Sequence, residues 1–167
     1  VRIGLLLILI FSLFLPSSAR AAGILPQGVG PDTSVVTPPP ADAKVRVLFF
    51  YSNTCSHCLA VIENIVKPLQ DEHPGEVDFR LLELSQKVNY EALMAAETQL
   101  AVSPENRDLP VVILGDKVLI GEEENNQSLR QLVEAGLTGQ GIPFYPFEGV
   151  SIDELIIRIA AKGDGVT

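Results

Sequence analysis

The chain has 167 residues, a formal net charge of −9, two histidines and only two cysteines. This length suffices for one domain with a hydrophobic core plus tails. The acidic balance argues against nucleic acid as a partner, because binding to a phosphate backbone needs clustered positive charge. A structural zinc site is also disfavoured. Such a site uses about four closely placed ligands, and the chain has no second closely spaced ligand pair beside its two cysteines. We therefore expect no bound metal.

Residues 1–21 contain the three parts of a secretory signal peptide. Arg2 precedes the apolar run "IGLLLILIFSLFL", and the small-x-small site "ARA" follows it. The run has 13 residues, whereas roughly 20 are needed to span a bilayer. We therefore expect cleavage after Ala21 or Ala22 and an extracytoplasmic location, periplasmic or secreted. An uncleaved amino-terminal anchor is the alternative. Loss of Arg2 and Arg20 with the signal peptide would change the net charge from −9 to −11.

Residues 22–43 are predicted to form a linker. This segment is dense in proline and glycine and has no hydrophobic periodicity, and its "PPP" favours an extended spacer. Six of the twelve prolines precede Lys44, and this change in composition places the start of the domain there. We assign residues 44–140 to the domain.

The first regular segment of the domain predicts a strand and then a helix. "VRVLFFY" (45–51) is a continuous apolar run, as is typical of a buried central strand. Ser52, Asn53 and Thr54 supply loop and helix-cap chemistry. In the helix that follows, Pro68 is expected to kink or shorten the last turns. Apolar residues recur there at steps of three and four: Leu59, Ile62, Ile65, Val66 and Leu69.

The next segment predicts a second strand and a second helix. "EVDFRLLEL" (76–84) alternates in part, which favours a strand. Asn89 is expected to cap a helix that runs to about Leu100. Its expected inward-facing residues are Tyr90, Leu93, Ala96 and Leu100.

A β-hairpin and a third helix follow the pair Leu109-Pro110. "VVIL" and "KVLI" flank the turn at Gly115, which is the pattern of a hairpin, and a helix is expected from about Glu123 to Ala135.

The order β-α-β-α-β-β-α predicts an α/β fold. Its first two strands are joined by a crossover helix and should be parallel. Since the hairpin adds antiparallel pairing, we expect a mixed central sheet with helices on both faces.

Residues 141–167 are predicted to form a carboxy-terminal tail with a short helix. "SIDELIIRIAAKG" begins with Ser151 as a helix cap and places Ile152, Leu155, Ile156 and Ile159 on one face. We expect this helix to pack back on the domain. A contact with a partner or a membrane surface is the alternative.

Cys55 and Cys58 lie two residues apart at the junction of the first strand and helix. The Cys55 sulfur would face the unpaired N–H groups of the helix, which favour a thiolate. Cys58, one turn further in, is more shielded and close enough to attack a mixed disulfide at Cys55. This division of labour suits thiol–disulfide exchange, and the position in a β-α-β unit favours a redox motif. A metal site, a structural disulfide and a pair of free thiols are the alternatives.

The stretch "FFYSNTCSHC", followed by "LPVVILGDKVLIG", resembles the thioredoxin superfamily over about residues 44–138. The resemblance implies a thioredoxin-like fold in which Cys55 is the nucleophile, Cys58 resolves, and the two form a disulfide when oxidised. It also implies that Pro110 is the cis-proline lying against that disulfide. The backbone of Leu109 would then pair with an extended substrate segment.

The spacing Cys-x-His-Cys is similar to that of bacterial exported oxidases that insert disulfides. This resemblance implies that His57 stabilises the Cys55 thiolate through a positive charge or a hydrogen bond, which raises the reduction potential. Three residues depart from the family pattern. Ser56 replaces a proline, Thr54 replaces a tryptophan, and Phe49 stands where many relatives have a buried acid that moves the proton of the resolving cysteine. The long helical insertion of these oxidases is also missing.

These residues together predict an exported thiol–disulfide oxidoreductase with Cys55, Cys58 and His57 as its catalytic residues. It needs no organic cofactor, because the dithiol is itself the redox group. Its expected partners are cysteine-containing protein substrates and a membrane redox partner. The alternative is a non-catalytic thioredoxin-like binding module with a static disulfide, which would act as a partner of a membrane protein.

Overall fold

The computed structural model describes residues 42–163, which belong to one compact unit. The predicted signal peptide, nearly all of the predicted linker and the last four residues lie outside the described residues. Within the described part of the chain, no helix is both long enough and apolar enough to cross a membrane.

Four strands form one mixed sheet in the order β2-β1-β3-β4. They are β1 (Val45–Tyr51), β2 (Val77–Glu83), β3 (Val111–Leu114) and β4 (Lys117–Ile120). β1 pairs in parallel with β2 and antiparallel with β3, and β3 and β4 form a hairpin about Gly115. The predicted α/β class, the mixed sheet, the parallel first pair and the hairpin are confirmed.

Helices cover both faces of the sheet. A continuous helix follows β1 and consists of α1, a π-helical turn and α2, while α3 follows β2, α4 follows β4, and α5 lies near the end of the described chain. Their bounds are Ser56–Val61 for α1, Ile62–Val66 for the π-helical turn, Lys67–Glu72 for α2, Lys87–Gln99 for α3, Gly121–Thr138 for α4 and Ile152–Gly163 for α5. A short 3-10 helix occupies Pro104–Asn106.

The hydrophobic core has two layers because side chains alternate along β1. Val47 and Phe49 lie in the layer with α1, α2 and α4. Leu48 and Phe50 lie in the layer with α3 and α5. All four side chains are fully buried, since β1 has a paired strand on each edge and helices on each face. The continuous apolar run of the sequence is the signature of this central position.

Of the two predicted effects of Pro68, a kink or a shortened helix, the shortening does not occur. The helix continues to Glu72, and the π-helical turn lies directly before Pro68, which is near the start of α2. A proline has no N–H to donate, and its ring crowds the carbonyl four residues back. A wider turn at this place leaves room for the ring, so the helix passes the proline without ending.

Two expectations for α3 are wrong. The cap residue is Gln86, and Asn89 lies buried in the first turn, where its Nδ2 donates to the Glu83 carbonyl at 2.9 Å. This bond ties the start of α3 to the end of β2. Tyr90 is 50% exposed and does not point inward, because the buried face of α3 runs through Ala92, Leu93 and Ala96.

The residues after α4 pack on the domain. Ile142 forms a parallel bridge with Val45, and its carbonyl accepts from the Arg46 N–H at 2.8 Å. Phe147 and Ile152 are fully buried in the layer that contains Leu48. The predicted cap forms as well, since the Ser151 Oγ accepts from the Glu154 N–H at 3.2 Å. The described tail residues therefore contribute to the core of the domain.

Replacing Phe147 with alanine tests this contribution of the tail. We expect Phe147→Ala to lower the free energy of unfolding by about 3–5 kcal/mol, the usual range for a buried phenylalanine. Ile157 is 67% exposed, so Ile157→Ala is the matched control and should change stability by less than about 0.5 kcal/mol. Urea denaturation measures both values. Equal, small effects would contradict a structural role for the tail.

Candidate active site

The two cysteines are joined in a disulfide at the point where β1 gives way to α1. Cys55 is the N-cap residue of α1, and its N–H donates to the Ser52 carbonyl at 3.1 Å, which closes the turn after the strand. The Cys55 Sγ accepts from the Cys58 N–H at 3.1 Å. This places the first sulfur at the positive end of the helix, where a negative charge is stabilised.

The two sulfur-bearing residues differ in accessibility. Cys55 is partly exposed, whereas Cys58 is fully buried under the first turn of α1. A reagent or substrate from solvent can therefore reach the first cysteine and not the second. This difference suits an attacking cysteine and a resolving cysteine.

Leu109 and Pro110 lie beside the end of β1 that carries the cysteines. The bond between them is cis. Val111 pairs with Phe50 in the antiparallel register of β1 and β3, so Pro110 continues that register next to Tyr51, four residues before Cys55. Pro110 is buried and Leu109 is partly exposed. The fold thus brings together two motifs that are about fifty residues apart in the sequence.

His57 lies on the outer side of α1 and contacts α4. Its side chain is 68% exposed, and its Nδ1 pairs with the Glu122 carboxylate. Sequence reasoning did not single out Glu122. The run Glu122-Glu123-Glu124 marked a helix start, but only the packing of α1 against α4 shows which of the three acids meets His57.

The first turn of α4 also holds the Leu109–Pro110 segment. The Gly121 N–H donates to the Pro110 carbonyl at 2.9 Å. The Asn125 Nδ2 donates to the Gly121 carbonyl at 2.7 Å and reaches the Pro110 carbonyl at 3.4 Å. α4 runs from Gly121 to Thr138, longer at both ends than predicted. Asn125 was also missed by sequence reasoning, since an asparagine in a polar stretch gave no sign of burial.

The buried carboxylates do not lie near Cys58. Among residues 42–163, Asp78 and Glu97 are the buried acids. Asp78 lies opposite Arg46 in the register of β1 and β2. This position, at the start of β1, is about 17 Å along the strand from Tyr51 at the usual rise per residue. Burial raises the pKa of Asp78. Glu97 forms an ion pair with Arg107 at 2.7 Å, near the far end of α3. Neither acid is placed to take a proton from Cys58.

Tyr51 is the titratable side chain at the end of β1. Burial, and then the nearby Glu83 carboxylate, raise the pKa of its phenol above the ordinary value of 10.0. The phenol is therefore protonated at neutral pH. Tyr51 can donate a hydrogen bond, but it cannot act as a base for the Cys58 thiol.

One group of side chains in the described region has the spacing of metal ligands. The ligand atoms of Glu72, His73 and Glu134 lie within 4.8 Å of one another. Arg130 already donates to Glu72 at 2.6 Å and lies 3.8 Å from Glu134, and this bond holds the pKa of Glu72 below its usual range. A guanidinium thus offsets part of the negative charge of the group, which sits at the opposite end of the continuous helix from Cys55.

Comparison with protein-family models finds no match for the chain, and comparison with curated proteins finds none either. The case for a function therefore depends on the site itself. A cysteine pair at Cys-x-x-Cys spacing on an α/β sheet fold is compatible with a thioredoxin-like domain and consistent with redox activity.

The capping role of the Cys55 sulfur can be measured without the disulfide. In a Cys58→Ala background, Cys55→Ser keeps a side-chain acceptor at the N-cap and Cys55→Ala removes it. We expect the serine variant to be more stable by about 1 kcal/mol, the usual contribution of an N-cap. Urea denaturation of the two double variants gives the difference. Equal stabilities would show that position 55 does not cap α1.

Proposed function

We propose that the chain is an exported, thioredoxin-like thiol–disulfide oxidoreductase that exchanges electrons between its Cys55–Cys58 pair and protein disulfides or thiols. The observation that carries the proposal is the difference between the two cysteines. Cys55 is accessible at the positive end of α1, and Cys58 is buried behind it at a distance that allows a disulfide.

Electrons move in two exchange steps. In the reduced protein, the Cys55 thiolate attacks one sulfur of a substrate disulfide and forms a mixed disulfide, while the other substrate sulfur leaves as a thiolate. Cys58 then loses its proton and attacks the Cys55 sulfur. This restores the Cys55–Cys58 disulfide and releases the second substrate thiolate. Two electrons have passed to the substrate, and the reverse sequence oxidises a substrate dithiol.

Neither buried carboxylate within residues 42–163 is placed to act as the base of the second step. Phe49 occupies the place of the buried acid, and the buried Asp78 and Glu97 lie elsewhere. The Cys58 proton must therefore pass to water or to the departing substrate thiolate. Turnover as a general reductase is expected to be slow for this reason.

His57 tunes the reactivity of Cys55 in this proposal. The Glu122 carboxylate engages Nδ1, so an interaction with the Cys55 sulfur would use Nε2. A positive charge or a donated hydrogen bond stabilises the thiolate and hence the reduced protein. Stabilising the reduced form raises the reduction potential.

The surroundings of the site suggest its partners. Leu109 is partly exposed beside the cysteines. Its N–H is bonded to the Asp108 carboxylate, so its carbonyl is the main-chain group that would accept from an extended segment of a cysteine-containing protein. The predicted signal peptide is the basis for proposing a reaction outside the cytoplasm, where protein disulfides persist. A membrane redox partner would return the cysteine pair to its working state.

Trapping of mixed disulfides tests the assignment of the two cysteines. Cys58→Ser should accumulate mixed disulfides with substrate proteins, because nothing remains to resolve the bond at Cys55. Cys55→Ser should accumulate few, since Cys58 is buried. Non-reducing gels of extracts alkylated at low pH measure both. Equal trapping by the two variants would show that Cys55 is not the nucleophile.

The reduction potential of the mature domain in glutathione buffers tests the direction of electron flow. A value of about −120 to −180 mV is typical of oxidants and isomerases, and about −270 mV of a reductant. A pair that never equilibrates would favour the binding module with a static disulfide.

His57→Ala tests the tuning residue by the same measurement. We expect a decrease of about 30–60 mV, because a hydrogen bond to a charged group contributes about 1.5–3 kcal/mol and about 1.4 kcal/mol corresponds to 30 mV. His73 bonds Glu134 at the far end of α2, so His73→Ala is the matched control and should leave the potential unchanged. Equal reduction potentials for the wild type and both variants would show that His57 does not influence the potential.

A further inference from the structure

Asn125 is a polar side chain in an apolar environment. It is fully buried in α4, one turn before Leu129, which belongs to the hydrophobic layer against β1. Its Oδ1 has no hydrogen-bond partner among the described residues. A buried oxygen without a partner destabilises a fold relative to an apolar group of the same shape. Apolar packing of α4 therefore does not explain why an amide is buried at position 125. The hydrogen bonds of its Nδ2 explain it.

The Nδ2 group of Asn125 bonds to its own helix and also reaches the Leu109–Pro110 segment. It donates to the Gly121 carbonyl at 2.7 Å and to the Pro110 carbonyl at 3.4 Å. The same Pro110 carbonyl accepts from the Gly121 N–H at 2.9 Å. One carbonyl beside the cysteines is thus held by a main-chain donor and by a buried side chain.

Gly121 allows the close approach that these bonds need. Its φ is +78°, a value that favours glycine, and a Cβ at this position would lie 2.9 Å from the Asp108 carboxylate. The Asp108 carboxylate in turn accepts from the Leu109 N–H at 2.8 Å. The segment is therefore attached to the first turn of α4 through the Pro110 carbonyl, while the Asp108–Leu109 bond orders the residues before it.

We propose that Asn125 is a positioning residue that holds the Leu109–Pro110 segment in place to receive an extended protein substrate beside Cys55. This inference rests on the proposed function and concerns the same site. Asn125 touches neither cysteine by any hydrogen bond in the structure and is too buried to touch substrate. It acts through the Pro110 carbonyl.

This placement separates two properties of the reaction. Loss of the Nδ2 bonds leaves the Pro110 carbonyl with the Gly121 N–H alone, so the segment gains freedom and pairs less well with a peptide. The chemistry at the Cys55 sulfur is unchanged, because the capping of α1 does not involve Asn125. The Michaelis constant for a peptide should therefore rise, while the reaction with a small disulfide that has no peptide backbone should not change.

Asn125→Leu tests the proposal in the mature protein. Leucine has a similar size and removes the unpaired Oδ1 together with Nδ2, so the urea midpoint should stay the same or rise. We expect the KM for a synthetic peptide dimer linked by one disulfide to rise about fivefold, the equivalent of one hydrogen bond. The kcat for the peptide, the rate with a small aromatic disulfide and the reduction potential should not change. Asn125→Ala is the second variant and should give the same rise in KM.

Asn126→Leu is the matched control. Asn126 is the exposed neighbour of Asn125 on α4, and its replacement should leave every measured quantity unchanged. An unchanged peptide KM in both Asn125 variants of an active protein would overturn the positioning role alone. An equal loss of rate with the peptide and the small disulfide would do the same, since it would indicate a general structural defect. A wild-type protein that reacts with neither probe would overturn the proposed function, and the positioning role with it.

Discussion

The structure depends on the double pairing of β1. This strand bonds to β2 on one edge and to β3 on the other, and its core residues are buried on both faces. A strand held in this way cannot shift by a residue without turning its apolar side chains to the wrong layer. Its carboxyl end is therefore a fixed point, and Cys55 follows that end after three residues. The rigidity of the site is a consequence of the burial of β1.

The first turn of α4 is the second element on which the site depends. Glu122 contacts His57 on α1, and Asn125 with Gly121 holds the Pro110 carbonyl next to β1. The helix that carries the cysteines and the Leu109–Pro110 segment beside them are thus both attached to the start of α4. The short hairpin of β3 and β4 makes this possible, because it returns the chain to the same end of the sheet as the carboxyl end of β1, from which Cys55 follows.

The tail strengthens the face of the sheet that lies away from α1. The guanidinium groups of Arg46 and Arg80 lie 5.6 and 5.5 Å from the centroid of the Phe144 ring, and Arg80 also pairs with Asp153 of α5. Phe147 and Ile152 fill the core beneath. A small domain buries a modest share of its surface, so the added apolar area of the tail matters for its stability.

Local pattern was sufficient to predict most of the fold. The apolar run of β1, the hairpin about Gly115 and the cap at Ser151 depend on residues close in the chain, and the structure agrees with all three. The errors at Asn89 and Tyr90 concern which side of α3 faces the core. That choice is made by packing against the sheet, because the same polar residue can cap a helix or bond to a strand end.

The amino-acid sequence by itself determined the order of elements, the mixed sheet and the position of Cys55 and Cys58 at a strand–helix junction, since these follow from periodicity and spacing. Only the tertiary structure decided which of three glutamates meets His57, and that Asn125 lies inside the protein against Pro110. These features join residues that are 15 to 65 positions apart. Their partners are chosen by the packing of whole helices against the sheet, and no local pattern records that choice.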